Sequence, residues 1–398
     1  MMVLRKMRTV ARLLTGWLLY ALSLCVPRNN SVWVFVGWHK SEEREIFADN
    51  SKYLFLHVAN ESKELRAIWI AEDAAMRDIL RQNGYESHTA HSLRGALFSM
   101  RAGVTIVDGH MRLHNWRYSG RSRIIQLWHG DGIKKAGFNN TLYFGKFGRL
   151  TSPQLFPQYE FVTTSSFFIA QSFICPTFNV TMDRVRITGL PRYDVFSRII
   201  RGSRIDVHEE LERGLDIARG KSARTILYAP TFRRGRAADS PVAALDLARL
   251  DKFLGEMNAH LFISMHPKFG ATSWKPNAEH AHITYVSSDY DMYPLLPRFD
   301  LVITDYSSIS IEFLHMDKPV IFFIYDYDEY TASNGLVDEL WQSIPGPRVH
   351  SFDELLGALT ARDEGARDRD AARKKLLTYP YGAASESVVD EIMRAAHM

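Results

Sequence analysis

From Ser31 onward, short apolar runs alternate with stretches whose apolar residues recur at helical spacing. Val32–Val36, Ala67–Ile70, Val104–Val107, Ile124–Trp128, Phe161–Thr164 and Val185–Ile187 read as strands. Asn50 to Val58 and Ala74 to Gln82 read as helices between them. The turn-rich segment Gly189-Leu190-Pro191-Arg192-Tyr193-Asp194 closes this series, and the charged stretch Arg201 to Lys221 reads as linker plus helix. A second series starts at Thr225–Ala229. It continues through a helix over Ala243 to Met257, strands Leu261–Ile263 and Ile283–Val286, and the run Leu301 to Phe323; helices from Phe352 and from Ser385 end the chain. Such alternation predicts an α/β fold with mostly parallel sheets. Two doubly wound, Rossmann-type domains facing a cleft are expected, over residues 29–200 and 201–398.

The run Leu301 to Phe323 reads strand, turn, helix, breaker, strand, with Asp305, Ser307 and Ser308 in the turn. A helix N-terminus there would offer unpaired N–H groups and the positive end of a dipole to a phosphate. Simple capping of the helix by Ser307 accounts for the same residues. Ligands of doubly wound sheets sit beyond the carboxyl ends of strands. His129, Thr231 with Arg233, His266, and Ser307 each follow a predicted strand, so all four places can face one cleft.

Each carries a chemistry. His129 stands before Gly130-Asp131-Gly132-Ile133-Lys134-Lys135, a glycine-rich basic loop. An imidazole titrating near neutrality suits a general base for a hydroxyl, with Asp131 as a candidate orienting group; a structural loop histidine is the alternative. Arg233, two residues after Thr231, suits two-pronged phosphate contact, unless it belongs to a solvated loop. His266-Pro267-Lys268 ends a strand, though turns also favour proline. Asp289-Tyr290-Asp291 and Asp326-Tyr327-Asp328 have the form of cation ligands. The first reads better as a cap for the helical stretch after Met292 and the second as part of an aromatic loop, so no metal or cofactor is expected.

Composition narrows the picture. The 398 residues are 46% hydrophobic and 24% charged, and a net charge of only +4 gives no bulk signal for nucleic acid. Two cysteines, Cys25 and Cys175, exclude a disulfide framework. Near the start, Arg5, Lys6, Arg8 and Arg12 precede an uncharged run of 14 residues, Leu13 to Val26. That is shorter than the ~20 residues a spanning helix needs. On a helix, Arg5, Arg8 and Arg12 form one stripe beside another of Val3, Met7, Val10, Leu14 and Trp17. Residues 1–28 are therefore expected to lie along an anionic membrane surface; a core helix and a signal sequence are the alternatives.

Taken together, several blocks resemble the CDP-glycerol glycerophosphotransferase family, which builds teichoic-acid and capsule-type polymers. They are Asn50-Ser51-Lys52-Tyr53-Leu54-Phe55, Trp128-His129-Gly130 with Lys134-Lys135, Gly189 to Asp194, Tyr228-Ala229-Pro230-Thr231-Phe232-Arg233, His266-Pro267, and Thr304 to Ser308 running into Glu312-Phe313. The resemblance implies a GT-B fold, CDP-glycerol or CDP-ribitol as donor, and a lipid-linked glycan or polyol-phosphate acceptor. It also implies a peripheral position on the cytoplasmic face of the cell membrane. In its terms His129 is the base, His266 is the second catalytic residue, and His266, Arg233, Ser307 and Ser308 hold the donor pyrophosphate. Arg192, Thr231 and Asp305 complete the donor side; Asp131, Lys134 and Lys135 form the acceptor side. The family's usual Thr-Pro after His-Gly is replaced here by Asp131-Gly132. A nucleotide-sugar glycosyltransferase of the same shape is the neighbouring reading.

Overall fold

A computed structural model describes residues 2–37, 44–109, 116–139, 148–153, 158–231, 233, 241–265 and 280–397. His266 lies outside these residues. Two wholly parallel sheets organise the chain. The first holds β1 (Asn29–Val36), β2 (Arg66–Ala71), β3 (Ser87–Thr89), β4 (Ala102–Val107), β5 (Arg123–Gln126), β6 (Tyr159–Thr164) and β7 (Val185–Ile187), in the order 3-2-1-4-5-6-7. The second holds β8 (Arg224–Ala229), β9 (Ala259–Met265), β10 (Ile283–Ser287), β11 (Leu301–Thr304), β12 (Val320–Phe323) and β13 (Arg348–Val349), in the order 10-9-8-11-12-13. Strand order reverses between β1 and β4 and between β8 and β11. At such a reversal the crossover connections diverge and leave a crevice at the carboxyl ends.

The central strands explain why the apolar runs were so plain. Every residue of β4 and of β11 is buried, because helices cover both faces of a parallel sheet. The helix expected over Ala243 to Met257 is shorter. Pro241–Ala244 forms a 3-10 turn, and Leu247–Glu256 is the helix, capped by the Asp246 carboxylate accepting from the N–H of Arg249. After Asp291 comes a 3-10 helix, Tyr293–Arg298, and Asp291 Oδ1 accepts the N–H of Tyr293 at 3.0 Å.

The lobes are pinned to each other. Helix α2 (Asp49–Glu61) of the first lobe sends Lys52 to Asp291 of the second at 2.7 Å, both side chains fully buried, and Tyr53 donates to the same carboxylate. The final helix, Ala384–His397, was expected within the 201–398 unit. It packs instead on α2, with Val388 and Ile392 buried in the core of the first sheet beside Phe55 and Ile200.

Helix α1 (Met2–Cys25) is docked on the first lobe. Trp17 and Tyr20 pack on Trp116, and the Arg28 guanidinium donates to the carbonyls of Ser23, Ser99, Ala102, Tyr118 and Gly120. Trp17 therefore faces inward, contrary to its place on the expected outer stripe, because Trp116 offers it an aromatic partner. Val10, Leu14, Leu18 and Leu22, four residues apart, are exposed. Among the described residues no helix is long and apolar enough to cross a membrane.

Candidate active site

The loop after β5 carries His129, and its backbone is held from several directions. Trp128 adopts a left-handed conformation at φ 55°, which costs a side-chain-bearing residue about 1–2 kcal/mol. Its N–H donates to Gln126 Oε1 at 2.9 Å, and its carbonyl accepts from Asn50 Nδ2 at 2.8 Å. The next carbonyl, of His129, accepts from Arg192 Nη1 at 2.8 Å. The His129 ring lies under the Trp128 indole, centroids 3.9 Å apart, and Nδ1 is 3.1 Å from the carbonyl oxygen of Asp108, at the end of β4. A carbonyl only accepts, so Nδ1 carries the proton and the lone pair sits on Nε2.

Asp131 does not orient this ring. It is buried beneath the loop, accepting from Thr164 Oγ1 at 2.9 Å and from Ser165 Oγ. Burial pushes its pKa up against the pull of those hydroxyls. The orienting atom is the Asp108 carbonyl, and Asp131 is a buried anchor of the loop rather than an acceptor-facing group. Lys134 and Lys135 also differ from expectation. The backbone here is stitched to the second lobe: Lys134 forms an antiparallel bridge with Leu336, Val337 N–H donates to Ile133 O at 2.9 Å, and Lys135 N–H to Gly335 O at 3.3 Å. Burial draws the half-buried Lys134 down in pKa, with the charge of Asp305 pulling it up and Arg233 pushing it down; Lys135 stays exposed.

On the second lobe, β8 and β11 end side by side. Thr231 N–H donates to Asp305 Oδ1 at 2.8 Å, and Thr304 Oγ1 to Ala229 O. Arg233 is clamped between Asp305 (Nη2 to Oδ2, 2.9 Å) and Asp326 (Nε to Oδ2, 2.7 Å), while its Nη1 donates to Thr231 O. It lies over Tyr330, 4.6 Å from the ring centroid, which stacks on Tyr306 at 3.8 Å. Burial opposes its charge, but the bond to Asp326 and the two carboxylate charges outweigh burial and raise its pKa. The guanidinium fork expected to grip phosphate is thus occupied by carboxylates. Asp305 braces the two strand ends and Arg233.

Arg192, expected at the donor, is fully enclosed. Nη1 pairs with Asp49 at 2.9 Å and Nη2 with Glu312, and both carboxylates are buried. Burial pushes Glu312 up in pKa and Arg192 pulls it down. The serines are less committed. In the helix Ile309–His315 the Ser308 side chain makes no cap bond, and Ser307 Oγ is 3.5 Å from Ile309 N, the outer limit of a hydrogen bond. The turn comes close to the His129 loop: a methyl group added at Gly130 would stand 3.0 Å from Ser308 Oγ and 3.0 Å from Arg192 Nη2. Asn50, Asp108 and Glu312 were not singled out from sequence. Asn50 and Glu312 stood inside the family blocks without a role, and nothing local marks a backbone carbonyl such as that of Asp108.

Residues 18–394 match the family described as CDP-Glycerol:Poly(glycerophosphate) glycerophosphotransferase. The chain is 29% identical over 298 residues to teichoic acid ribitol-phosphate polymerase TarK of Staphylococcus aureus (strain NCTC 8325 / PS 47), covering 73% of this chain and 56% of that one. It spans about half the length of the ribitol-phosphate polymerases it matches, 56, 58 and 46% of three of them. The teichoic acid glycerol-phosphate transferase of the same Staphylococcus strain is 25% identical over 395 residues, 93% of this chain and 94% of that one. The solved wall teichoic acid polymerase TagF superposes with a TM-score of 0.74 at 18% identity, over 98% of both chains, and shares the fold. With nearly its whole length matched, the chain belongs to the CDP-glycerol:poly(glycerophosphate) glycerophosphotransferase family.

Proposed function

We propose that the chain transfers glycerol phosphate from CDP-glycerol to a hydroxyl of a lipid-linked glycan or polyol-phosphate acceptor, as a peripheral enzyme of teichoic-acid-like or capsular polymer synthesis. The observation that carries this is the meeting of the His129–Gly130 loop with the Ser307–Ser308 turn across the two sheets' carboxyl ends. His129 Nε2 takes the proton of the acceptor hydroxyl as its oxygen attacks the β-phosphorus. The new P–O bond forms as the bond to CMP breaks, and CMP leaves with the electron pair. Catalysis is then positioning plus charge stabilisation. Ser307, Ser308, Lys134 and His266 serve the diphosphate. Thr231, Asp305 and Arg233 shape its bed.

In this reading the two lobes are GT-B-like, and the exposed stripe Val10, Leu14, Leu18 and Leu22 lies on the anionic cytoplasmic face of the membrane, with exposed Arg12 on the same helix. A ribitol donor is the second reading, favoured by the ribitol-phosphate polymerases among the relatives at 27–29% identity. The test incubates purified protein with CDP-glycerol or CDP-ribitol and a synthetic lipid acceptor, and follows CMP and product length. CMP released with CDP-glycerol supports the proposal. CMP from CDP-ribitol alone selects the second reading. No CMP from either donor sinks both, and a nucleoside diphosphate from a nucleotide sugar would mark a glycosyltransferase.

A further inference from the structure

The two residues that hold the carbonyls on either side of the His129 ring come from distant parts of the chain. Asn50 opens α2, and its carboxamide works in two directions: Nδ2 donates to the Trp128 carbonyl at 2.8 Å, and Oδ1 accepts the backbone N–H of Arg192 at 3.1 Å. Arg192 in turn donates from Nη1 to the His129 carbonyl at 2.8 Å. The left-handed backbone at Trp128 is a conformation that relaxes unless neighbours hold it. The same guanidinium bonds through Nη2 to Glu312, one helical turn beyond Ser308 in the second lobe. One buried side chain therefore touches both the peptide that carries the base and the helix that follows the donor turn.

We propose that Asn50 and Arg192 are positioning residues for His129, and that Arg192, through Glu312, fixes the spacing between the base and the Ser307–Ser308 turn. This rests on the assignment of His129 as base. A positioning residue acts through the group it places, so its loss is felt only while that group is present.

The experiment is a double-mutant cycle on the full-length protein, after melting curves confirm folding. Asn50→Ala and Arg192→Lys are each made alone and in the His129→Ala background, with turnover and KM measured for CDP-glycerol. Each single variant is expected to lose about 10- to 100-fold in kcat, the scale of a small misplacement of a reacting group, with KM within about twofold. On top of His129→Ala, each is expected to cost less than about twofold. Asn50→Asp keeps the side chain's size and its acceptor for Arg192 N–H but cannot donate to the Trp128 carbonyl; it carries the same test if the alanine variant melts too low. Equal losses in both backgrounds, or near-normal kcat in the single variants, overturn the proposal. Near-normal turnover of His129→Ala by itself overturns the base assignment, and this inference with it.

Discussion

The two lobes are built on opposite plans. On the first lobe the proposed base, His129, is half-buried, and its loop is held by two dipoles and a guanidinium: Asn50 to the Trp128 carbonyl, Nδ1 of His129 to the Asp108 carbonyl, and Arg192 to the His129 carbonyl. On the second lobe the strongest cation is withdrawn, with Arg233 locked between Asp305 and Asp326. What that lobe offers at the meeting point is two serine hydroxyls with little else to do. A base must keep one geometry through the reaction, which favours fixed dipoles. In the proposed reaction a diphosphate site binds its donor and then releases CMP, and a bare arginine there would hold the product as firmly as the donor. The contrast predicts that damage to the first lobe appears in kcat, and damage to the second in stability or KM.

The most direct way to break that contrast is His129→Ala. It should lower turnover by about 10²–10⁴-fold with donor binding little changed, measured by CMP release and by titration of CDP-glycerol. A large loss of donor affinity instead would move His129 to the binding side. Arg233→Ala comes next. It takes away the guanidinium that bridges the carboxylates of Asp305 and Asp326, and removing one partner of a buried pair costs roughly 3 kcal/mol or more. Chemical denaturation should show that loss. Asp326→Asn should cost less, because one carboxylate still pairs with the arginine. An Arg233→Ala protein of unchanged stability with donor affinity abolished would restore this arginine to the phosphates.

The same contrast explains what sequence could reveal. Both sheets were legible because strands buried on two faces, such as β4 and β11, leave unbroken apolar runs. His129 and the serines were legible as polar residues just past such runs. Arg192, Asp131 and Arg233 also follow strands or turns and carry the right chemistry for a phosphate site, yet each is spent on holding the protein together. Arg192 meets partners 143 and 120 residues away, and no local pattern records such pairings. Trp17 was assigned to the outer face of α1 by spacing alone, and only the position of Trp116 turns it inward.

The far end of the helix that follows Ser308 sharpens the comparison through pH. His315 is buried against Tyr379, and burial, then Arg192 and Arg373, push its pKa down to about 3. An unfolded chain protonates this residue below about pH 6.5 while the folded one does not. Its neutral burial is therefore without penalty above about pH 6.5 and costs about 1.4 kcal/mol per pH unit below it, down to the folded value. Urea melts at pH 7 and pH 5 should show this slope, and His315→Gln should flatten it. An unchanged slope in that variant would mean that His315 is protonated in the folded protein.

The smallest effect is the most discriminating for the donor turn. Ser308 makes no cap bond, so Ser308→Ala removes no bond seen among the described residues, and denaturation should be unchanged within about 0.5 kcal/mol. If its hydroxyl donates to the diphosphate, the variant loses one hydrogen bond worth about 1 kcal/mol, or roughly fivefold in KM for CDP-glycerol, with kcat nearly kept. Ser307→Ala makes the natural control. Its hydroxyl is at the limit of reach of Ile309 N, so some stability should go with any change in KM. A Ser308→Ala protein with normal KM but depressed kcat would place this hydroxyl with the His129 loop it approaches at Gly130, and the division of labour between the lobes would have to be redrawn there.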